Sequence, residues 1–238
     1  MRVILTIAVV STIAAGCQGT SQIQLPAPGD DAPATVTPAT TPSPPSATGD
    51  AARGRTRSGE LYCDACHGPN GNSETAEWPS LAGQNAAYLA RQLELLRSGE
   101  RMSPEMQPMA APLSDADIAD LAAHYAAQAS TPATAGGEES KIGESLYRDG
   151  DPARAIPACG SCHGPTGLGN PASGDPAVRA QQPGYSIRQL EAYAKHTRYA
   201  SALQTQGSNA SLEIMYHAAG KLTSEEIRSL ATYLRTMP

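Results

Sequence analysis

Two pentapeptides constrain this chain more than any other feature: Cys63-Asp64-Ala65-Cys66-His67 and Cys159-Gly160-Ser161-Cys162-His163, 96 residues apart. Each continues as Gly-Pro, at Gly68-Pro69 and Gly164-Pro165. The likeness extends well past them. Pro79, Gln84, Tyr88, Arg91, Gln92 and Leu93 return 97 residues later as Pro176, Gln181, Tyr185, Arg188, Gln189 and Leu190. Leu113-Ser114-Asp115-Ala116-Asp117-Ile118 returns at an offset of 109 as Leu222-Thr223-Ser224-Glu225-Glu226-Ile227. The 238-residue chain is therefore an internal duplication. Its second copy holds 12 more residues between those blocks, and the polar stretch 197–210 is their expected place.

Each copy reads as a short helix, the Cys-x-x-Cys-His turn, a loop, a helix, a Met-containing loop and a final helix. In 86–97 the apolar positions Tyr88, Leu89, Leu93 and Leu96 have helical spacing. Ser114 and Thr223 are expected N-caps, with Asp117 and Glu226 completing capping boxes. The helices after them should bury Ile118, Leu121, Ala122 and Tyr125, and Ile227, Leu230, Tyr233 and Leu234. No segment has convincing strand alternation, so the expected fold class is all-α. Domains are expected at 51–130 and 131–238, divided by a linker near 130–139 that holds Pro132, Gly136 and Gly137.

Halves of about 80 to 100 residues are marginal on their own, and with one Trp and no Phe this chain has thin aromatic packing. A large apolar cofactor would supply the missing core. The Cys pairs say which. A zinc ribbon needs no His directly after the second Cys, and a thioredoxin-like redox pair sits in a βαβ context that is absent here. A c-type haem needs that His: the two Cys add to the porphyrin vinyls, and the imidazole that follows binds the iron. Cys63, Cys66, Cys159 and Cys162 are thus read as covalent attachment points, with His67 and His163 as proximal iron ligands. Zinc or a disulfide is the alternative.

The opposite iron ligand can be Met, His or none. After His163 only Met215 and Met237 remain, and Met237 is penultimate. Met215 lies seven residues before Leu222, and counting seven back from Leu113 selects Met106 over Met102 and Met109. Ordinary core methionines are the alternative, with His217 the rival at the second iron. His124 and His196 read as surface or helix-face residues. In cytochromes c a proline placed like Pro79 and Pro176 presents its carbonyl to the proximal His Nδ1–H; turn prolines are the alternative. Arg91, Arg188, Gln84, Tyr88 and their repeats are candidate partners for haem propionates, or simply an exposed helix face.

On these motifs, with Pro79-Ser80-Leu81-Ala82-Gly83-Gln84 and the two helix starts, residues 50–238 resemble the cytochrome c4 family of periplasmic dihaem electron-transfer proteins. The resemblance implies two tandem cytochrome c domains related by pseudo-twofold symmetry, with two covalently attached haems close enough for fast exchange. The long loop before Met215 and the segment before residue 50 are additions to that pattern.

That segment begins as an export signal. Met1-Arg2 precedes a mostly apolar run, 3–15, too short for a membrane span and suited to a signal peptide, here 1–16. Ala14-Ala15-Gly16-Cys17 resembles the lipobox of bacterial lipoproteins, which makes Cys17 the expected acylation site. An ordinary cleaved signal or an uncleaved anchor is the alternative. Residues 18–50 hold seven prolines among Ala, Thr and Ser. They are expected to stay disordered and to act, with Cys17, as a tether spanning roughly 100 Å if fully extended, at about 3.1 Å per residue.

The net charge of −6 argues against a nucleic-acid partner. It is unevenly spread: 51–130 carries 6 basic and 10 acidic residues, whereas 131–238 carries 10 of each. The acidic first domain is expected to dock a basic redox partner. His/Met ligation would saturate each iron and raise its potential. The expected function is that of a periplasmic, membrane-tethered electron carrier between a quinol-oxidising complex and a terminal oxidase, rather than an enzyme. The alternatives are a haem subunit of a periplasmic dehydrogenase, a dihaem peroxidase and a thiosulfate dehydrogenase.

Overall fold

The Asp50 side chain starts the first helix, α1 (Ala51–Glu60), by accepting from the backbone N–H groups of Ala52 (2.8 Å) and Arg53 (3.0 Å). The computed structural model describes residues 49–134, 137–202 and 209–237. The signal segment, Cys17 and the tether up to residue 48 lie outside the described residues. A four-residue turn of helix, α2 (Asp64–His67), carries the first Cys-x-x-Cys-His string. Then come α3 (Ala86–Ser98), α4 (Met106–Ala110) and α5 (Asp115–Ala126). The second half repeats the order as α6 (Lys141–Arg148), α7 (Gly160–His163), α8 (Pro183–Ala194), α9 (Ala210–Gly220) and α10 (Ser224–Thr236).

Packing repeats as well: α5 lies against α1 and α3, α10 against α6 and α8, α4 against α3 and α9 against α8. Among the described residues there is no strand, only two isolated bridges, as an all-α reading requires. Both capping boxes form. Ser114 Oγ accepts from Asp117 N (3.1 Å) while Asp117 accepts from Ser114 N (2.9 Å). Thr223 and Glu226 repeat the exchange at 3.2 and 2.8 Å. All eight apolar residues expected on α5 and α10 are buried. Leu89, Leu96, Leu113, Ile118, Leu121 and Tyr125 form the first core; Tyr147, Leu230, Tyr233, Leu234 and Met237 form the second.

One glycine in each half sets how closely the first and last helices approach. A Cβ on Gly54 would collide with the Asp120 carbonyl oxygen, and one on Gly143 with that of Ser229. At both crossings the glycine meets the backbone of the facing helix.

Three local expectations are corrected. The Met-containing loops are helical: Met106 opens α4, and Met215 lies inside α9. Asn209 caps α9 by accepting from Leu212 N at 2.9 Å, and the following run is rich in good helix formers. The polar stretch after α8 is not simply a surface loop. Arg198 is only 6% exposed, because phenols surround its charge; residues 203–208 lie outside the described residues. His124 is buried rather than on the surface, with its ring 4.8 Å from that of Tyr125.

The two halves are fastened to one another by exchanged pairs. The Gln84 side chain donates to the Ala177 carbonyl (2.8 Å) and accepts from the Ala177 N–H (2.8 Å). Gln181, its repeat, donates to the Ser80 carbonyl (3.0 Å) and accepts from the Ser80 N–H (2.8 Å). Ser80 and Ala177 are themselves repeats. Arg101 donates to the Tyr185 hydroxyl (3.2 Å), and Arg198, its repeat, donates to the Tyr88 hydroxyl (3.0 Å). Equivalent residues trading places across a seam is the signature of twofold symmetry. The connection between halves is gripped from both sides: Thr131 N donates to Asn72 Oδ1 (2.9 Å), and Arg235 donates to the Thr131 carbonyl (2.7 Å).

Candidate functional site

The Cys-x-x-Cys-His strings fold alike for a local reason. Cys63 and Cys159 each accept, through their carbonyls, the N–H of the His four residues on, at 3.0 Å in both halves. Gly68 and Gly164 then reverse the chain at φ values of 75° and 78°, conformations that favour glycine. A single helical turn thereby sets both thiols and the imidazole on one short rigid element. Among the described residues no disulfide joins Cys63, Cys66, Cys159 or Cys162, so each sulfur is available to a cofactor. Burial pushes the Cys63 thiol up and the Cys159 thiol up to about 11.

Each imidazole is oriented by a proline carbonyl. His67 Nδ1 lies 2.8 Å from the Pro79 oxygen, and His163 Nδ1 lies 2.9 Å from that of Pro176. A carbonyl only accepts, so Nδ1 carries the proton and Nε2 is left with its lone pair for a metal. His67 is 5% exposed; burial lowers its pKa, against the pull of the Pro79 carbonyl and Asp64, which favours the neutral ring that ligation needs.

One cavity of about 680 Å³ runs across both halves. Its walls include Cys63, His67 and Met106 from the first half and Cys159, Cys162, His163 and Met215 from the second. The rest of the lining is largely apolar, with Leu81, Leu93 and Leu113 answered by their repeats Val178, Leu190 and Leu222. Thiols, a proline-oriented imidazole, a thioether and an apolar wall are the donor set and surface that a c-type haem requires, and they occur twice. The zinc alternative fares worse: among the described residues no three His, Cys, Asp or Glu side chains converge on one point.

The remaining candidates separate by position. Met106 and Met215 are half-buried in the cavity wall. Met102 and Met109 are 68% and 40% exposed at its rim, and Met237 is packed in the second core. His217 is exposed and engages the Ala155 carbonyl through Nε2 at 3.1 Å. Gln84 and Tyr88, read from sequence as propionate partners or exposed surface, instead serve the seam, as do Gln181 and Tyr185. Arg188 also crosses it, donating to the Glu77 carbonyl.

Arg101 and Arg198 escaped the sequence reading, although their offset of 97 is the repeat offset. Arg198 lies over the rings of Tyr193 (5.2 Å) and Tyr199 (4.7 Å) and donates to the Tyr199 hydroxyl at 2.9 Å. Burial opposes its charge, but the phenols of Tyr199, Tyr193, Tyr88 and Tyr185 outweigh burial and hold it protonated. The same electrostatics act in reverse on Tyr185: burial raises its pKa, but Arg101 and Arg198 bring it down overall.

Known proteins match this architecture. The family model described as cytochrome c matches residues 140–238, and that described as cytochrome c oxidase, cbb3-type, subunit III matches residues 49–124. A cytochrome c4 of Thiocapsa roseopersicina is 41% identical over 174 residues, covering 73% of this chain and 85% of that protein. A thiosulfate dehydrogenase electron acceptor of Stutzerimonas stutzeri is 34% identical over 177 residues, covering 73% of this chain and 77% of that one. The crystal structure of reduced recombinant cytochrome c4 from Pseudomonas stutzeri superimposes with a TM-score of 0.72 at 34% identity, covering 80% of this chain and all of that one. With two matching haem sites in a duplicated helical frame, this chain belongs to the cytochrome c4 family, the electron-transfer cytochromes that carry two covalently attached c-type haems.

Proposed function

We propose that this protein carries single electrons in the periplasm between a quinol-oxidising complex and a terminal oxidase, held near a membrane by an acylated Cys17. The haem, when bound, supplies a one-electron couple. Cys63 with Cys66, and Cys159 with Cys162, hold it covalently. His67 and His163, oriented by the Pro79 and Pro176 carbonyls, would supply the imidazole ligands to the irons. Met106 and Met215 would supply the thioether ligands, one per half, and an iron so ligated would have no position left for a substrate. The observation that carries this reading is the pairing of a proline-oriented His with a Met in the wall of the same cavity, once per half.

Replacing Met215 by Ala should remove about half of the weak far-red absorption of methionine-ligated ferric haem and lower one of the two reduction potentials. Met106→Ala should do the same at the other site. Full retention of the band after either change would show that the methionine in question is not a ligand.

The tether is tested separately. Cys17→Ser should move the protein from the membrane fraction to the soluble fraction or leave an unprocessed precursor. Mass spectrometry that finds a mature N-terminus well downstream of Cys17 would remove the lipid from this account. Several acyl chains, rather than one, are what make such an anchor stable.

A second reading draws support from the relative named as a thiosulfate dehydrogenase electron acceptor: this chain takes electrons from a periplasmic dehydrogenase as its haem partner. Stoichiometric co-purification with a catalytic subunit would favour it over a free-standing carrier.

A further inference from the structure

The seam and the two proximal histidines share two short stretches of backbone. Pro79, whose carbonyl holds His67, is followed by Ser80, and Ser80 is gripped at both its N–H and its carbonyl by Gln181 of the other half. Pro176, whose carbonyl holds His163, is followed by Ala177, gripped in the same two places by Gln84. The arrangement is crossed: the first half anchors the loop that orients the second half's histidine, and the reverse.

Each glutamine is itself fixed. Gln84 Oε1 also accepts from Asn85 N at 2.9 Å, and Gln181 Oε1 from Gln182 N at 2.9 Å. Asn85 and Gln182 are the N-cap residues of α3 and α8. So each carboxamide ties the start of a long helix in one half to the ligand-supporting loop of the other. Gln84 is buried, and a surface tether between two domains would need none of this geometry.

We propose that Gln84 and Gln181 are positioning residues that act across the seam, Gln84 on His163 through Pro176 and Gln181 on His67 through Pro79. The inference rests on the reading of His67 and His163 as ligands. Its physical content is a chain of hydrogen bonds. A carbonyl held firmly toward Nδ1–H makes the imidazole a stronger donor to the metal, which favours the oxidised iron. Releasing that carbonyl weakens the bond and shifts the ring's iron toward the reduced form. The electronic state of each site is therefore set partly by the other half of the chain.

The test is carried out on the intact dihaem protein with Gln84→Leu and Gln181→Leu. Gln84→Glu is a milder companion that keeps an acceptor for the Ala177 N–H and loses the donor to its carbonyl. Two readouts are taken together. Amide hydrogen exchange at Ala177 reports the bond and should speed up by about five- to tenfold in Gln84→Leu, the scale of one net hydrogen bond. Paramagnetic NMR during a redox titration, with haem signals assigned to each half, reports the potential at each site. Gln84→Leu should shift the His163 site toward reduction by a few-fold in its electron occupancy, because it loosens the partner of a ligand without removing it. The His67 site should move much less. Gln181→Leu should show the opposite pattern, and Gln84→Glu an intermediate one.

A larger shift at the mutated half's own site overturns the proposal, as does faster Ala177 exchange with the His163 site unmoved. Unchanged exchange overturns it too, because the bond would then be absent in solution. Hyperfine-shifted ring signals from His67 and His163 report ligation itself. If those signals are absent, the ligand reading fails first and the proposal falls with it.

Discussion

A chain in which Cys159 and Cys162 are both replaced by Ala will carry one covalently bound haem instead of two. Intact-protein mass and alkaline pyridine absorption should both show the halving. The second effect is on folding. The second core consists of Tyr147, Leu230, Tyr233, Leu234 and Met237, while Leu190 and Leu222 face the cavity beside it. The side chains in the cavity wall gain their remaining partner atoms from a large apolar group, and a wall that loses those atoms loses their dispersion and burial energy together. Small domains hold only about 5–15 kcal/mol in total, so the second half should melt well below the first and lose helical circular dichroism over 141–236. Retention of two haems per chain in this variant would contradict the attachment assignment. Retention of one haem with an undisturbed second half would contradict the structural role given to the cofactor.

Gly143→Val should be nearly as damaging by an entirely different route. A Cβ there would collide with the Ser229 oxygen and lie 2.5 Å from Leu230 Cα, both backbone atoms of α10 that cannot swing aside. The helices must separate, which also breaks the bond from Gly143 N to Ser229 Oγ at 2.9 Å. Overpacking costs about 1–3 kcal/mol and the lost bond about 1 kcal/mol more, so denaturant titration should show a loss of about 2–4 kcal/mol for the second half. Gly59, in α1, is the control, because a methyl group added there would have nothing within 4 Å. Gly59→Ala should be neutral or stabilising by up to about 1 kcal/mol through helix propensity alone. If both substitutions behave alike, close helix approach is not what the glycine at 143 provides.

Much of the site is legible in the sequence because it is written in local code. A Cys-x-x-Cys-His turn is a single helical turn closed by its own backbone and a glycine, so five consecutive residues carry most of its geometry. The buried stripes of α5 and α10 follow from helical period and a capping box at each start, both of which act within a turn or two. The repeat register picks Met106 from three neighbouring methionines, and the fold puts it, unlike Met102 and Met109, half-buried in the cavity wall rather than exposed at the rim. What the sequence hides is whatever depends on a partner far along the chain. Tyr88 and Gln84 sit on an amphipathic helix and just before it, where nothing nearby shows what will cover them. Arg198 resembles part of a polar loop, since a lone arginine among polar residues is usually solvated.

By itself, the sequence determined that this chain is a duplicated helical protein with two haem attachment turns, one methionine in register with each, and one final helix per half with its buried face decided. Those features come from covalent bonding, helical period and caps, all of them short-range. Only the tertiary structure decided that the halves face each other with their equivalents exchanged, that Gln84 and Gln181 reach about a hundred residues across to the backbone beside Pro176 and Pro79, and that Arg101 and Arg198 each reach a phenol of the other half. The physical reason is that a carboxamide or a guanidinium satisfies its hydrogen bonds equally well with water or with a partner. Its own residue type and neighbours cannot say which. The choice is made when two rigid half-cores are brought together and water is excluded between them.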